Sequence, residues 1–255
     1  MIELQVNDIS KNFGGLQVLK DVSFTVKGAE LIGLIGPNGA GKTTLTNILD
    51  GAINASRGTV YLNGRRIDTL PPYEVAKVGL GRTFQVTRSF RRMTVLDNLY
   101  VPALAMDASK RRRDYKEQAM EVLEFLTIDH LRNEYARALS GGQQKLLELG
   151  RLLMLDPDII ILDEPFAGVH PKLMEIIYQY IYKMNEEGKA VIIISHDMDT
   201  IFTLSKRLLV LNYGDLIADG DPEVVKRDPT VIEAYLGQEE EMLESAVDAL
   251  IEEEE

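Results

Sequence analysis

The run Gly36-Pro37-Asn38-Gly39-Ala40-Gly41-Lys42-Thr43 constrains this chain more than any other segment of it. It fits the phosphate-loop pattern: glycines let successive backbone N–H groups turn inward on an anion, a lysine supplies a cation, and a hydroxyl follows at the start of a helix. Context separates such a loop from a merely tight turn. Here an apolar run, Leu31 to Ile35, precedes it, and Leu45, Ile48 and Leu49 recur at helical spacing after it. Strand, glycine loop and helix in that order place phosphates at a helix N-terminus. Lys42 would then stand near the β and γ phosphates of a nucleotide. The hydroxyl of Thr43, with Thr44 beside it, would stand near a Mg²⁺ ion.

The rest of the chain is read around that unit. Short β-branched or aliphatic runs at Val22 to Val26, Leu31 to Ile35, Thr59 to Leu62, Ile159 to Leu162, Ala190 to Ile194 and Leu208 to Leu211 read as strands. Several are apolar on both faces, which suits a mostly parallel sheet buried between helices, with Ile2 to Val6 and Leu216 to Asp219 as antiparallel edge elements. Between Arg88 and Ala138 the texture changes. Leu96, Leu99, Tyr100 and Leu104, then Ala119, Val122, Leu123 and Leu126, recur at helical spacing with no strand-like run among them. This predicts an α/β main domain over residues 1–237 with a helical subdomain inserted at about 88–138. Residues 238–255 form an acidic tail, expected to be helical or disordered, with Leu243, Ala246, Val247 and Leu250 on one possible helix face.

Composition narrows the class. The tail carries nine acidic and no basic side chains, which accounts for all but about three of the net charge of −12. The body has no basic excess, so a nucleic-acid partner is not expected. Lys110-Arg111-Arg112-Arg113 is a local exception that reads as a solvated helix face. Cysteine is absent, which excludes disulfides and thiolate metal sites and fits a reducing compartment. No signal-peptide pattern opens the chain, and the longest apolar runs are far short of the roughly 20 residues a spanning helix needs. Any membrane association is expected to run through a partner.

Other segments carry chemistry. Leu139-Ser140-Gly141-Gly142-Gln143 opens a helix-like run and reads as a second anion site. Beside a complete phosphate loop it would be redundant within one pocket, which suggests two chains sharing each nucleotide. Asp163 and Glu164 end an apolar strand, where Asp163 would hold Mg²⁺ and Glu164 would polarise a water attacking the γ-phosphate. His196 follows another such strand; a lone histidine is usually structural, but this position favours a γ-phosphate contact. Gln85 could touch Mg²⁺ or the attacking water. Phe13 could stack on adenine, although a single aromatic is more often core.

Together these residues resemble the ATP-binding-cassette family over residues 2 to 237. The resemblance implies ATP and Mg²⁺ as ligands and makes Phe13 the adenine-stacking aromatic, Gly36 to Thr43 the Walker A loop and Gln85 the Q-loop glutamine. It makes Leu139 to Gln143 the signature, Asp163 and Glu164 the end of Walker B, and His196 the switch histidine. It implies the family's phosphate-loop ATPase fold and a head-to-tail dimer, in which Ser140, Gly142 and Gln143 of one subunit cap the γ-phosphate on the other's Walker A loop. It also implies an ATP-hydrolysing subunit at the cytoplasmic face of a membrane, working with permease subunits and an extracytoplasmic binding protein.

Within the family, Gly81-Arg82-Thr83-Phe84-Gln85, Met93-Thr94-Val95-Leu96-Asp97-Asn98-Leu99 and Ile232-Glu233-Ala234-Tyr235-Leu236-Gly237 are similar to the branched-chain amino-acid importer ATPases. Asp163 to Val169 is also similar to the lipopolysaccharide-export ATPase. A soluble cassette ATPase acting on nucleic acid or ribosomes is the remaining alternative. One departure stands in the D-loop, where His170 takes the place of the usual Asp or Asn.

Overall fold

A computed structural model describes residues 2–84, 89–106 and 114–236. The strands are β1 (Glu3–Phe13), β2 (Leu16–Lys27), β3 (Leu31–Ile35), β4 (Arg57–Leu62), β5 (Arg65–Arg66), β6 (Leu80–Arg82), β7 (Ile159–Asp163), β8 (Ala190–Ile194), β9 (Arg207–Asn212) and β10 (Asp215–Gly220). The helices are α1 (Lys42–Leu49), α2 (Pro72–Val78), α3 (Val95–Ala105), α4 (Tyr115–Phe125), α5 (Gly141–Leu155), α6 (Pro171–Glu186), α7 (Met198–Leu204) and α8 (Pro222–Val225).

The strands make two sheets. One has the order β10-β9-β3-β8-β7-β6 and is parallel except for β10, which closes its edge antiparallel to β9. The other, β2-β1-β4-β5, is antiparallel throughout. The runs Val22 to Val26 and Thr59 to Leu62 therefore belong to the antiparallel sheet and not to the parallel one, and Ile2 to Val6 is an inner strand of that sheet. Their patterning explains the difference: β2 buries Val22, Phe24 and Val26 and leaves Ser23 exposed, a half-buried alternation. β6 went unread because three residues make no recognisable run.

All residues of β3, β7 and β8 are buried, and alternation sends them to two faces. Ile32, Leu34, Ile161, Ile192 and Leu209 face one core with α1 and the antiparallel sheet, including Leu45, Ile48, Val6 and Val22. Ile35, Ile160, Leu162, Ile193 and Val210 face the other, with α5, α6 and α7. Strands covered on both sides are continuous hydrophobic runs for this reason. Arg207 ties the layers at one edge, with Nη1 donating to the Thr25 carbonyl at 2.8 Å and to Glu30 at 2.9 Å while Nε meets Asp219 at 2.6 Å.

The stretch predicted as helical holds α3 and α4. Thr94 and Asp97 form a capping box at the start of α3, and the buried Asn98 amide accepts from Phe90 N–H at 2.8 Å and donates to the Thr94 carbonyl at 2.8 Å. Of the residues read at helical spacing, Leu99, Ala119, Val122, Leu123 and Leu126 are buried, whereas Leu104 is exposed. The two helices close onto α5 at Gly150, where a Cβ would lie 2.9–3.2 Å from side chains of Leu126, Leu99 and Val122. α5 thus extends the helical packing past Ala138. The basic run at 110–113 and the tail at 238–255 lie outside the described residues.

Tyr180 of α6 is fully buried, and its hydroxyl has no hydrogen-bond partner among the described residues. Burial pushes its phenol far above the ordinary range. Replacing a buried, unbonded hydroxyl by hydrogen removes a desolvation cost of about 1–2 kcal/mol. Tyr180→Phe is therefore expected to raise the unfolding free energy by about that amount in urea titrations; a drop in stability would show that the hydroxyl has a partner.

Candidate functional site

Ile194, the last residue of β8, pairs with Leu34 of β3 on one side and with Asp163 of β7 on the other. Three carboxyl ends therefore stop at one level, which is where open α/β sheets place ligands. Gly36 to Gly41 leave β3 there, Asp163 and Glu164 close β7, and Ser195 and His196 follow β8.

The loop is built on backbone that only glycine tolerates. Gly36 has φ 147°, and a Cβ there would lie 2.0 Å from the Leu211 carbonyl oxygen. Gly41, at φ 106°, caps α1 and lies against Val18 and Leu19 of β2, so the antiparallel sheet reaches the loop. Pro37 and Ala40 are buried beneath it, while Asn38, Gly39 and Thr43 are exposed and Thr44 is half-buried. Lys42 curls back so that Nζ donates to the carbonyls of Gly36 at 2.5 Å and Pro37 at 2.9 Å. Burial lowers the Lys42 pKa, opposed by the charges of Glu164 and Asp163. A half-desolvated cation favours an incoming anion, and the two carboxylates oppose that attraction.

Asp163 is buried, and its backbone N–H donates to the Thr83 hydroxyl at 3.0 Å. Its Oδ2 accepts from Arg82 Nη2 at 2.8 Å, while Arg82 Nη1 donates to Asn47 at 2.7 Å and to Asp50 at 2.9 Å. Glu164 has φ 48°, a left-handed conformation that costs a non-glycine residue about 1 kcal/mol or more. The surroundings hold it there: its N–H donates to the Ile194 carbonyl at 2.9 Å, and its Oε1 accepts from the His196 backbone N–H at 3.1 Å. His196 Nδ1 lies 3.0 Å from Oε2 without hydrogen-bond alignment. The carboxylate is thus presented by β7 and steadied by His196, two residues beyond β8. Its side chain is 15% exposed against 79% for that of His196, so the histidine reaches outward.

Lys145, two residues beyond Gln143, donates from Nζ to the carbonyls of Glu164 at 2.7 Å and Ala167 at 2.6 Å. Burial lowers its pKa, opposed by Glu164 and Glu148. Ser140 is the N-cap of α5 and forms a reciprocal box with Gln143: Ser140 N–H donates to Gln143 Oε1 at 2.9 Å, and Gln143 N–H donates to the Ser140 hydroxyl at 3.4 Å. Gly142 lies against Leu173 of α6. Phe13 ends β1 half exposed, with Lys11 Nζ 4.9 Å from its ring centroid, so it is not a core aromatic. His170 caps α6, its Nδ1 accepting from Lys172 N–H at 3.3 Å.

The structure thus brings together the loop, Lys42, Asp163, Glu164 and His196. Ser140, Gly142 and Gln143 stand on a separate element, and Gln85 lies outside the described residues. Sequence reading passed over Arg82, Thr83, Lys145 and Tyr235. Burial of Tyr235 pushes its phenol up to about 12, partly offset by a hydrogen bond with the Gly36 backbone, so the segment at 229–236 reaches the loop. Arg82, Thr83 and Tyr235 fall in segments already singled out for resemblance; no chemical pattern marked them individually.

A cation would find few ligands here. No group of three or more His, Asp or Glu residues that could hold a metal occurs among the described residues. One buried carboxylate, Asp163, and one exposed hydroxyl, Thr43, fit Mg²⁺, which takes one or two protein carboxylates and completes its shell with phosphates and water.

Comparison with known proteins agrees with this geometry. The family model described as ABC transporter matches residues 19–167, and the one described as branched-chain amino acid ATP-binding cassette transporter matches residues 216–241. A probable branched-chain amino acid transport ATP-binding protein, LivG, of Archaeoglobus fulgidus is 35% identical over 254 residues, covering 96% of this chain and 99% of its own length. The high-affinity branched-chain amino acid transport ATP-binding protein BraF of Pseudomonas aeruginosa is 36% identical, covering 92% of this chain and 98% of its own length. Among solved structures, the ADP conformation of MJ1267, an ATP-binding cassette of an ABC transporter, superposes with TM-score 0.81 at 35% identity over 93% of this chain and 99% of its own. The dimeric bacterial ABC transporter cassette MJ0796 does so with TM-score 0.77 at 27% identity over 86% and 98%.

Asp197, next to His196, caps α7, with Oδ1 accepting from Thr200 N–H at 3.2 Å and Oδ2 from the Thr200 hydroxyl at 2.7 Å. Those bonds hold its pKa below the ordinary carboxylate value. A depressed carboxylate stabilises the fold in full above its unfolded value and loses that contribution as pH falls through the folded one. Asp197→Ala is expected to cost about 1 kcal/mol at pH 7, with the gap to wild type closing as pH drops below about 4. An equal gap at pH 3 and pH 7 in chemical denaturation would refute the assignment.

Proposed function

The chain belongs to the ABC transporter family as an ATP-binding, ATP-hydrolysing subunit, and on that premise we propose that it powers import of branched-chain amino acids through membrane-embedded partner chains. The observation that carries the site reading is the meeting of Lys42, Asp163, Glu164 and His196 at the level ends of β3, β7 and β8. The C-terminal match at 216–241 favours the branched-chain importer group over the lipopolysaccharide-export ATPase and over soluble cassette proteins. No nucleic acid enters this reading.

In it, Phe13 stacks on adenine, and Gly36, Pro37, Asn38, Gly39, Ala40 and Gly41 wrap the phosphates with backbone N–H groups. Lys42 exchanges its two loop carbonyls for phosphate oxygens. Thr43, Asp163 and Gln85 would hold Mg²⁺, with Thr44 counted among the nucleotide-binding residues; the ion, when bound, would neutralise phosphate charge. Glu164 takes the proton of the attacking water, and its held φ and the two His196 contacts fix the carboxylate for that transfer. The outward ring of His196 reaches the γ-phosphate through Nε2.

Each ATP is shared. Ser140, Gly142 and Gln143 of a second cassette chain, identical or related, cap the γ-phosphate, and hydrolysis weakens that closure by removing the charge it reads. Among the described residues no helix is long and apolar enough to cross a membrane. We place the chain at the cytoplasmic face, held by permease subunits and fed by an extracytoplasmic binding protein. The domain plan proposed with it is an ATPase domain at 1–237, a helical subdomain at about 88–138 inserted within it, and a separate acidic tail at 238–255.

Glu164→Gln is expected to lower turnover by about 10²–10⁴-fold, the range for loss of a general base, while ATP-dependent dimers accumulate on a sizing column. Retained turnover would remove Glu164 as the base. Ser140→Arg is expected to abolish hydrolysis and keep ATP binding by the single chain. The lost cap itself costs about 1 kcal/mol, so Ser140→Ala serves as the control, folded and still able to dimerise. ATP hydrolysis by Ser140→Arg at the wild-type rate would argue against a shared site.

A further inference from the structure

Arg82 is the least expected charge in the molecule. Its side chain is 4% exposed, it ends β6, and its two Nη atoms reach two carboxylates on different elements. Nη1 lies 2.9 Å from Asp50 at the end of α1 and 2.7 Å from Asn47 one turn earlier, while Nη2 lies 2.8 Å from Asp163 Oδ2. α1 is the helix that begins at the phosphate loop, and β6 leads through Thr83 and Phe84 towards Gln85. Thr83 itself accepts from Asp163 N–H at 3.0 Å, and Phe84 N–H donates to the buried Glu148 of α5 at 3.1 Å.

Two features of this arrangement bear on how Asp163 works. A planar guanidinium carries its donors at fixed angles, so Nη2 meets Asp163 while Nη1 serves Asp50 and Asn47, a geometry that a freely rotating ammonium does not impose. The fork is also anchored independently of Asp163. Asp50 and Asn47 keep Arg82 paired when Asp163 turns to another cation, so the exchange leaves no buried charge alone, the condition under which breaking a buried pair becomes costly.

We propose that Arg82 is a positioning residue for the Mg²⁺ ligand Asp163: anchored by Asp50 and Asn47, it orients the carboxylate before MgATP arrives. The inference rests on the reading of Asp163 as a Mg²⁺ ligand. Outer partners of metal ligands typically raise affinity by about 10–100-fold. Because the fork and not the charge does the orienting, Arg82→Lys is the informative change.

The experiment titrates Mn²⁺, read by electron paramagnetic resonance, into wild type and variants holding a non-hydrolysable ATP analogue. Arg82→Lys is expected to weaken Mn²⁺ binding by about tenfold while analogue binding in EDTA stays at the wild-type level. Unchanged or tighter Mn²⁺ binding by folded Arg82→Lys overturns the proposal, as does an equal loss of analogue affinity in EDTA, which marks a structural role. Should Arg82→Lys not fold, Asp50→Asn gives the second test. Freed from Asp50, the guanidinium would keep Asn47 but have Asp163 as its one carboxylate partner, so Mn²⁺ binding should weaken several-fold, and no change overturns the proposal. Asp163→Asn separates the two levels. If it binds Mn²⁺ as wild type does, the parent reading of Asp163 falls; if it loses Mn²⁺ while Arg82→Lys keeps it, only the inference about Arg82 falls.

Discussion

The double pairing of Ile194 governs the molecule. Leu34 and Asp163 bond to the same residue of β8 from opposite sides, which puts the exits of three strands in register to within one residue. A parallel sheet fixes such levels firmly because both its faces are buried. A slip of one residue would turn each inward side chain to the other core. Catalytic geometry is thus inherited from core packing. Glu164 can be held in a left-handed conformation because Ile194 supplies the carbonyl for its N–H and His196, two residues on, meets its carboxylate.

Electrostatics is arranged around this level in layers. Lys42 comes from the loop, Arg82 from β6 and Lys145 from α5, and all three converge on the end of β7. They do different work. Arg82 pairs with carboxylates, whereas Lys42 and Lys145 donate to backbone carbonyls. Three cations thus surround two adjacent acids at the end of β7.

Much of this was legible in the residues. The phosphate loop, the acidic pair and the apolar strands announce themselves by composition and order, because glycine geometry and two-sided burial leave few substitutes. Val22 to Val26 and Thr59 to Leu62 read as strands without showing which sheet they join, because both runs contain enough apolar residues to mimic a doubly buried strand. Their alternation was the better guide. Arg82 and Lys145 were invisible for another reason: their partners are 32 to 81 residues away for Arg82 and 19 to 22 for Lys145, so only the fold reveals what they touch. Tyr235 is similar, a surface-looking aromatic whose neighbour, Gly36, is distant in sequence.

Lys145 has one more consequence. It stands on the same helix as Ser140 and Gln143 and is fastened to the carbonyls of Glu164 and Ala167, on either side of the turn that presents the base. In a head-to-tail pair, the helix that grips the neighbour's nucleotide is bolted to the helix-side wall of its own hydrolytic centre. In the shared-site pair proposed above, the cap and the turn carrying Glu164 would then move as one body over about one helical turn, so that a chain without this bolt would have two halves with no shared clock.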